Sequence, residues 1–414
     1  MSLPLVRWAL LGLIVTCASL FAAQGAAAAP PRIDAKAAIA IEPSTQTIVY
    51  ARRASQRRQI ASTTKMMTAL IAVERASLDD VMVTVPYSGA PAESVAGFRA
   101  GERVTVRDLL RAMMITSAND AAMTLAVRIA GSESAFVTLM NQRARSLGLS
   151  DTSYDNPVGL DGARNYSSAT DLVRLAYELR QNRFLRELMD QGFVRLASGS
   201  RPRTFVNRNN LVRTIPEVNG VKTGHTNRAG YLLVGSATRR GVTVLSAVLG
   251  EPSEAARDRD SLALLRYALS KFQVVTAVRD GDRLTSIPLA FRGDQTVPAV
   301  ADRTIRRTVN DPESLRVGVS DVPKALDGPL KQGARVGTVV VFDRGRVVSR
   351  TPLVTARAVD AASFTDRLRT WLTRPLTLVL LLIFGASSVY VLRVRRRAER
   401  RRAERLAARR NPPS

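Results

Sequence analysis

Between Pro375 and Leu392 the chain runs for 18 residues without a charge, rich in Leu, Val and Ile, and this stretch limits every reading of the fold. As a helix rising about 1.5 Å per residue it would reach about 27 Å, close to the thickness of bilayer hydrocarbon. Ten arginines against two glutamates follow it, from Arg393 to Arg410. By the positive-inside rule such a tail stays in the cytoplasm and the bulk of the chain lies outside. The N-terminus agrees: Arg7 precedes an apolar run from Trp8 to Ala23, and Ala26-Ala27-Ala28-Ala29 ahead of Pro30 offers small residues for cleavage, the pattern of a secretory signal. Cys17, the only cysteine, lies in this run, so no disulfide can form within one chain, and Ile14-Val15-Thr16 before it lacks a lipoprotein signal. The competing reading, a buried core helix with a basic nucleic-acid tail, would give an exported protein a cytoplasmic ligand.

Upstream of the apolar stretch, Phe364, Leu368, Trp371 and Leu372 recur at i, i+4, i+7 and i+8, with Asp366, Arg367 and Arg369 between them. That stripe suits a helix lying on a membrane surface with Trp371 at headgroup level. The net charge of +26 invites a nucleic-acid reading, but export and the lack of aromatic interleaving among the arginines exclude it. A basic surface suits anionic lipid headgroups instead. No sequence feature specifies an oligomeric state.

At 414 residues and 46% apolar, the chain has length for two domains plus tails. Of its 61 basic residues only six are lysines, at 36, 65, 222, 271, 324 and 331. A guanidinium does not give up its proton, whereas a desolvated ammonium can. The lysine at 65 stands three residues after Ser62, in Ile60-Ala61-Ser62-Thr63-Thr64-Lys65-Met66-Met67. That spacing brings hydroxyl and amine together on a helical first turn, as an activated serine nucleophile requires. Alone, the pair reads equally as a helix cap beside an exposed charge.

Two further stretches change that balance: Ser117-Ala118-Asn119 ahead of Asp120-Ala121-Ala122, and Lys222-Thr223-Gly224-His225-Thr226 ahead of Tyr231-Leu232-Leu233-Val234. In this order S-x-x-K, S-x-N and K-T-G are the motif set of penicillin-binding proteins and serine β-lactamases. With their flanks they resemble the D-alanyl-D-alanine carboxypeptidases of the low-molecular-mass class, peptidase family S11.

The resemblance implies an α/β catalytic domain of the β-lactamase/transpeptidase-like type, an antiparallel sheet flanked by helices with a mostly helical middle block. It implies removal of the terminal D-alanine from peptidoglycan pentapeptides through an acyl-enzyme on Ser62, with β-lactams as covalent inhibitors. Lys65 would be the base, and Ser117 with Asn119 would complete the proton relay. Lys222 and Thr223 would meet the substrate carboxylate, Gly224 would leave room for its backbone, and the N–H groups of Ser62 and His225 would form the oxyanion hole. Arg208, in Asn207-Arg208-Asn209, and Arg257 are further carboxylate contacts by the same likeness. His225 is the only histidine, no metal-ligand spacing exists, and neither metal nor cofactor is expected. A D,D-endopeptidase, a β-lactamase or a non-catalytic wall scaffold remain the alternatives.

Along the chain, residues 1–29 read as signal peptide and 30–273 as the catalytic domain. Within the latter, Ala37–Glu42 and Thr47–Tyr50 form a strand pair, Arg203–Val212 reads as extended, Thr170 as a helix cap, and Ser261–Phe272 as a closing helix. Residues 274–359, with short β-branched runs between Gly and Pro, read as a small all-β domain, resembling the family's stalk. A juxtamembrane segment (360–374), a transmembrane helix (375–392) and an Arg-rich cytoplasmic tail (393–414) complete the expectation.

Overall fold

The computed structural model describes residues 29–410, so the expected signal peptide lies almost wholly outside the described residues. The chain divides into two compact units, one of residues up to Val274 together with Thr308–Asn310, the other of Val275–Arg307 and the residues after Asn310.

The first unit is built on a five-stranded antiparallel sheet. Its strands are β1 (Ala37–Glu42), β2 (Thr47–Arg52), β3 (Val218–Thr226), β4 (Gly230–Arg239) and β5 (Val242–Glu251), in the spatial order β2-β1-β5-β4-β3. The first and last segments of the unit thus share one sheet, with β1 pairing β5 through Ala37↔Leu249 to Ile41↔Leu245. Strands β4 and β5 meet at Arg239↔Val242, closed by Arg240 and Gly241, both with positive φ. Two such residues make the hairpin turn whose twist matches the strands.

Alternation along the strands divides the core. Ile39, Leu232, Val234, Leu245, Ala247 and Leu249 face the helical block, whereas Ala38, Leu233, Val244 and Val248 face the helix Glu254–Ser270 and its Leu264, Leu265 and Ala268. Both faces of the sheet are covered, so its central strands are apolar on both sides.

The helical block holds α1 (Lys65–Arg75), α2 (Val106–Ile115), α3 (Asn119–Ala130), α4 (Glu133–Ser146) and α5 (Ala169–Gln181), and α6 (Glu254–Ser270) closes the unit. In α1 every residue from Lys65 to Ala72 is buried, which makes it the central helix of the block. Met66, Met67, Leu70 and Ile71 each contribute about 1.5–3 kcal/mol by leaving water.

Three local expectations are corrected. The cap of α5 is Ser168, whose hydroxyl accepts the Asp171 N–H at 3.1 Å, and Thr170 lies within the first turn. The extended run stops at Val206, because Asn207-Arg208-Asn209 turns and Asn209 caps a short helix, Asn210–Thr214. The closing helix starts at Glu254 behind the Ser253 cap, so Arg257 stands inside it; its first two turns are largely charged and carry little apolar periodicity.

The second unit holds an antiparallel sheet of β6 (Arg283–Pro288), β7 (Thr296–Ala301), β8 (Leu315–Ser320), β9 (Arg335–Asp343) and β10 (Arg346–Thr355), in the order β6-β7-β10-β9-β8. Its core is Ile287, Val297, Ala299, Val339, Val341 and Leu353. There follow α7 (Phe364–Leu372), opened by a Ser363–Asp366 capping box, and α8 (Pro375–Arg410), which carries the one stretch among the described residues that is long and apolar enough to cross a membrane. On α7, Arg367 reaches Asp327 at 3.4 Å and lies over the Phe291 ring, while Phe364, Leu368, Trp371 and Leu372 stay exposed.

Candidate active site

Ser62 lies in a 3-10 turn, Ala61–Thr64, that runs directly into α1. Ala61 holds a positive φ of 45°, a conformation disfavoured for a residue with a Cβ, so the turn that carries Ser62 is held by its surroundings. Two glycines do much of the holding. Gly159, at φ +89°, passes so close that a Cβ there would stand 2.1 Å from the Ala61 carbonyl oxygen. Gly224 on β3 approaches from the other side, where a Cβ would lie 2.6 Å from a Leu232 methyl and 3.1 Å from the Ile60 carbonyl.

Entry into α1 brings Lys65 back under Ser62, with Nζ 3.0 Å from Oγ. The lysine is fully buried, and its Nζ also donates to the Val158 carbonyl in the turn that Gly159 shapes. Burial first, and then the Lys222 charge, push the Lys65 ammonium well below its usual range.

Lys222, also buried, donates to Ser117 Oγ at 3.1 Å and to the Thr223 carbonyl at 3.0 Å. Burial, followed by the Arg208 and Arg257 charges, brings it down to about 7. Ser117 sits between α2 and α3 with a positive φ of 67°. Two residues on, Asn119 opens α3, and its Nδ2 donates to Glu93 at 2.6 Å.

Ser62, Ser117, Arg208, Thr223, Gly224, His225 and Arg257 line one cleft of about 430 Å³. The residues expected from sequence are thereby brought together, with Lys65 and Lys222 beneath the cleft and Asn119 beside it. The two arginines differ. Arg208 is exposed at the cleft and steadied by an Nε bond of 2.9 Å to the Thr116 carbonyl, leaving the rest of its guanidinium free for an anion. Arg257 is buried and paired with Glu254 at 2.8 Å and Asp258 at 2.7 Å, so much of its charge is already met within the protein. His225 is exposed and stacks on Tyr231, ring centroids 4.0 Å apart.

Sequence reasoning missed Val158, Tyr231, Glu93 and Asp120. Asn156-Pro157-Val158-Gly159 reads from sequence only as turn chemistry, and an acceptor carbonyl carries no residue-type signal. Asp120 accepts the N–H groups of Ala96 (2.9 Å) and Phe98 (3.0 Å), tying the segment from Val85 to Ala100 to α3. No group of three or more His, Cys, Asp or Glu that could hold a metal occurs among the described residues.

A family model described as D-alanyl-D-alanine carboxypeptidase matches residues 24–253, and one described as penicillin-binding protein 5, C-terminal domain, matches residues 272–361. The D-alanyl-D-alanine carboxypeptidase DacA of Escherichia coli (strain K12) is 30% identical over 353 residues, covering 81% of this chain and 86% of that protein. The D-alanyl-D-alanine carboxypeptidase DacF of Bacillus subtilis (strain 168) is 29% identical over 357 residues, covering 80% of this chain and 87% of that protein. Among solved structures, penicillin-binding protein 5 of Haemophilus influenzae superposes with a TM-score of 0.59 at 27% identity, covering 80% of this chain and 99% of that one.

Proposed function

From the premise that the chain belongs to the D-alanyl-D-alanine carboxypeptidase family, peptidase family S11, we propose that Ser62 is its nucleophile and Lys65 the base that activates it. The protein is a serine D-alanyl-D-alanine carboxypeptidase acting on peptidoglycan, a hydrolase of cell-wall biosynthesis that works through an acyl-enzyme. The observation that carries the residue assignment is the buried Lys65 Nζ, 3.0 Å from Ser62 Oγ at the floor of the cleft.

In its neutral form the Lys65 amine has two N–H donors and one lone pair. Donation to Val158 orients the amine, leaving the lone pair to take the Ser62 proton. Oγ then bonds to the carbonyl carbon between the two D-alanines, and negative charge collects on the carbonyl oxygen, where the N–H groups of Ser62 and His225 receive it. As the C–N bond breaks, the proton passes through the Ser117 hydroxyl, bonded to Lys222, to the leaving amine. Water repeats the attack on the ester and frees Ser62. Lys222, Thr223 and Arg208 hold the terminal carboxylate, with Arg257 acting mainly by steadying the wall of the cleft. Removal of the fifth residue leaves fewer donors for cross-linking. β-Lactams acylate the same Ser62.

Residues 30–273 form the catalytic domain in this reading, and 274–359 the small β-rich stalk domain that follows it in the chain. The exposed stripe of α7 rests on the outer face of the bilayer, α8 crosses it, and the arginines after Leu392 meet anionic headgroups on the cytoplasmic side.

Incubating the protein with a wall pentapeptide tests the reading. Free D-alanine and a tetrapeptide are expected, together with covalent penicillin labelling of Ser62 by peptide mass mapping. Release that persists in Ser62→Ala, or an adduct on another residue, overturns the assignment.

A further inference from the structure

The segment from Val85 to Ala100 runs beside the cleft, and Ala92 and Ser94 from it line the wall. One side chain in it, Glu93, belongs to none of the S-x-x-K, S-x-N and K-T-G motifs yet makes three bonds, one of them to Asn119 of S-x-N. Its Oε1 accepts the Ala90 N–H at 2.9 Å, and its Oε2 accepts Asn119 Nδ2 at 2.6 Å and the Tyr87 hydroxyl. Asn119 is buried, and its backbone N–H donates to the Ser94 carbonyl at 2.7 Å, so side chain and main chain of the same residue are both held by this segment.

A carboxylate accepts and does not donate, so only the Nδ2 end of the Asn119 amide can face Glu93. That selects one of the two otherwise interchangeable amide orientations. Oδ1 is thereby turned away from Glu93.

The charge of Glu93 matters as well. Around Lys65 the cations are Lys222 and Arg208 and the anions are Glu93 and Asp120. Asp120 already accepts the backbone N–H groups of Ala96, Phe98 and Ala121. Burial would raise the Glu93 carboxyl, but hydrogen bonds from Tyr87, Ala90 and Asn119 outweigh it and hold the group below its usual range, ionised at neutral pH.

We propose that Glu93 is a positioning residue for the reaction on Ser62: its carboxylate fixes the Asn119 amide beside the cleft, and its negative charge counters Lys222 and Arg208 around Lys65. The inference rests on Lys65 being the base. It makes proton transfer at Ser62 depend on the docking of the 85–100 segment, a coupling that the three motifs do not contain.

Penicillin acylation rates measured against pH in Glu93→Gln, Glu93→Ala and Lys65→Arg test it. Glutamine keeps an acceptor for Asn119 and Tyr87 but loses the charge, so the acidic limb of the profile should move to lower pH as Lys65 sheds its proton more readily. Alanine loses the bonds too, and acylation should fall roughly 10- to 100-fold, the worth of one charge-assisted hydrogen bond. An acidic limb that stays in place in Glu93→Gln overturns the proposal, as does a Glu93→Ala rate within about twofold of the parent. A fall in Glu93→Ala that merely tracks a lower melting temperature, with the Glu93→Gln limb unmoved, is a structural effect and overturns it too. Lys65→Arg separates the premises: if it acylates normally the base assignment itself is wrong, and if it fails while the Glu93 variants behave as the parent, only the Glu93 inference falls.

Discussion

Lys65 and Lys222 lie buried under one cleft, and the proposed mechanism needs them in opposite charge states. Acylation asks for a neutral Lys65, whereas recognition of a terminal carboxylate asks for a charged Lys222. Both ammonium groups are driven down by burial first, Lys222 to about 7. The rate of acylation at low substrate should therefore rise with pH as Lys65 loses its proton and fall again as Lys222 loses its own near pH 7. Lys222→Arg supplies a charge that does not titrate in this range, so the falling limb should disappear while acylation survives. Lys65→Arg supplies a charge that cannot leave, and acylation should drop by about 10²- to 10⁴-fold. Stopped-flow labelling with a reporter penicillin across pH measures both, with circular dichroism confirming the fold. A falling limb that persists in Lys222→Arg would assign it to another group.

At the scale of elements, the turn that carries Ser62 is positioned by close approach. Gly159 leaves the Ala61 carbonyl room that a Cβ would occupy, and the same turn presents Val158 to Lys65. Gly159→Ala forces either that turn or the 3-10 turn to shift, on top of the strain of a positive φ. A loss of about 1–3 kcal/mol or more is expected, read as a melting temperature lower by several degrees, together with slower labelling of Ser62. Gly148 is the control, because it also has a positive φ, 68°, but a Cβ there would meet open space. Gly148→Ala should cost the backbone strain alone and leave labelling at the parent rate. Equal labelling rates in the two variants would show that the close contact does not set the geometry of Ser62.

For the molecule as a whole, the second unit ends in two helices of different character. One shows an exposed apolar stripe, the other is apolar from Pro375 to Leu392 and then arginine-rich. Protease added to intact spheroplasts should digest everything ahead of α8 and leave a small membrane-held fragment containing the residues from Arg393 onward, identified by mass spectrometry. A full-length chain surviving that treatment would mean the catalytic unit faces the cytoplasm.

Much of this protein is legible in the chain alone, because the chemistry of S-x-x-K, S-x-N and K-T-G depends on residue types at short spacings, and the membrane reading on an uninterrupted apolar run. The near-continuous apolar runs of β1, β4 and β5 likewise report strands covered on both faces, since a strand with one wet face would alternate apolar and polar residues. What the tertiary structure alone decided are relations across long separations. The Lys222–Ser117 bond joins residues 105 apart, the Lys65–Val158 bond residues 93 apart, and the Asn119–Glu93 bond residues 26 apart. No local pattern distinguishes Glu93 from any exposed glutamate, or a paired Arg257 from a free one. A side chain's charge and donor count are written in the sequence, but its partners depend on which distant segments the packed core brings within hydrogen-bond reach, and those partners set its protonation.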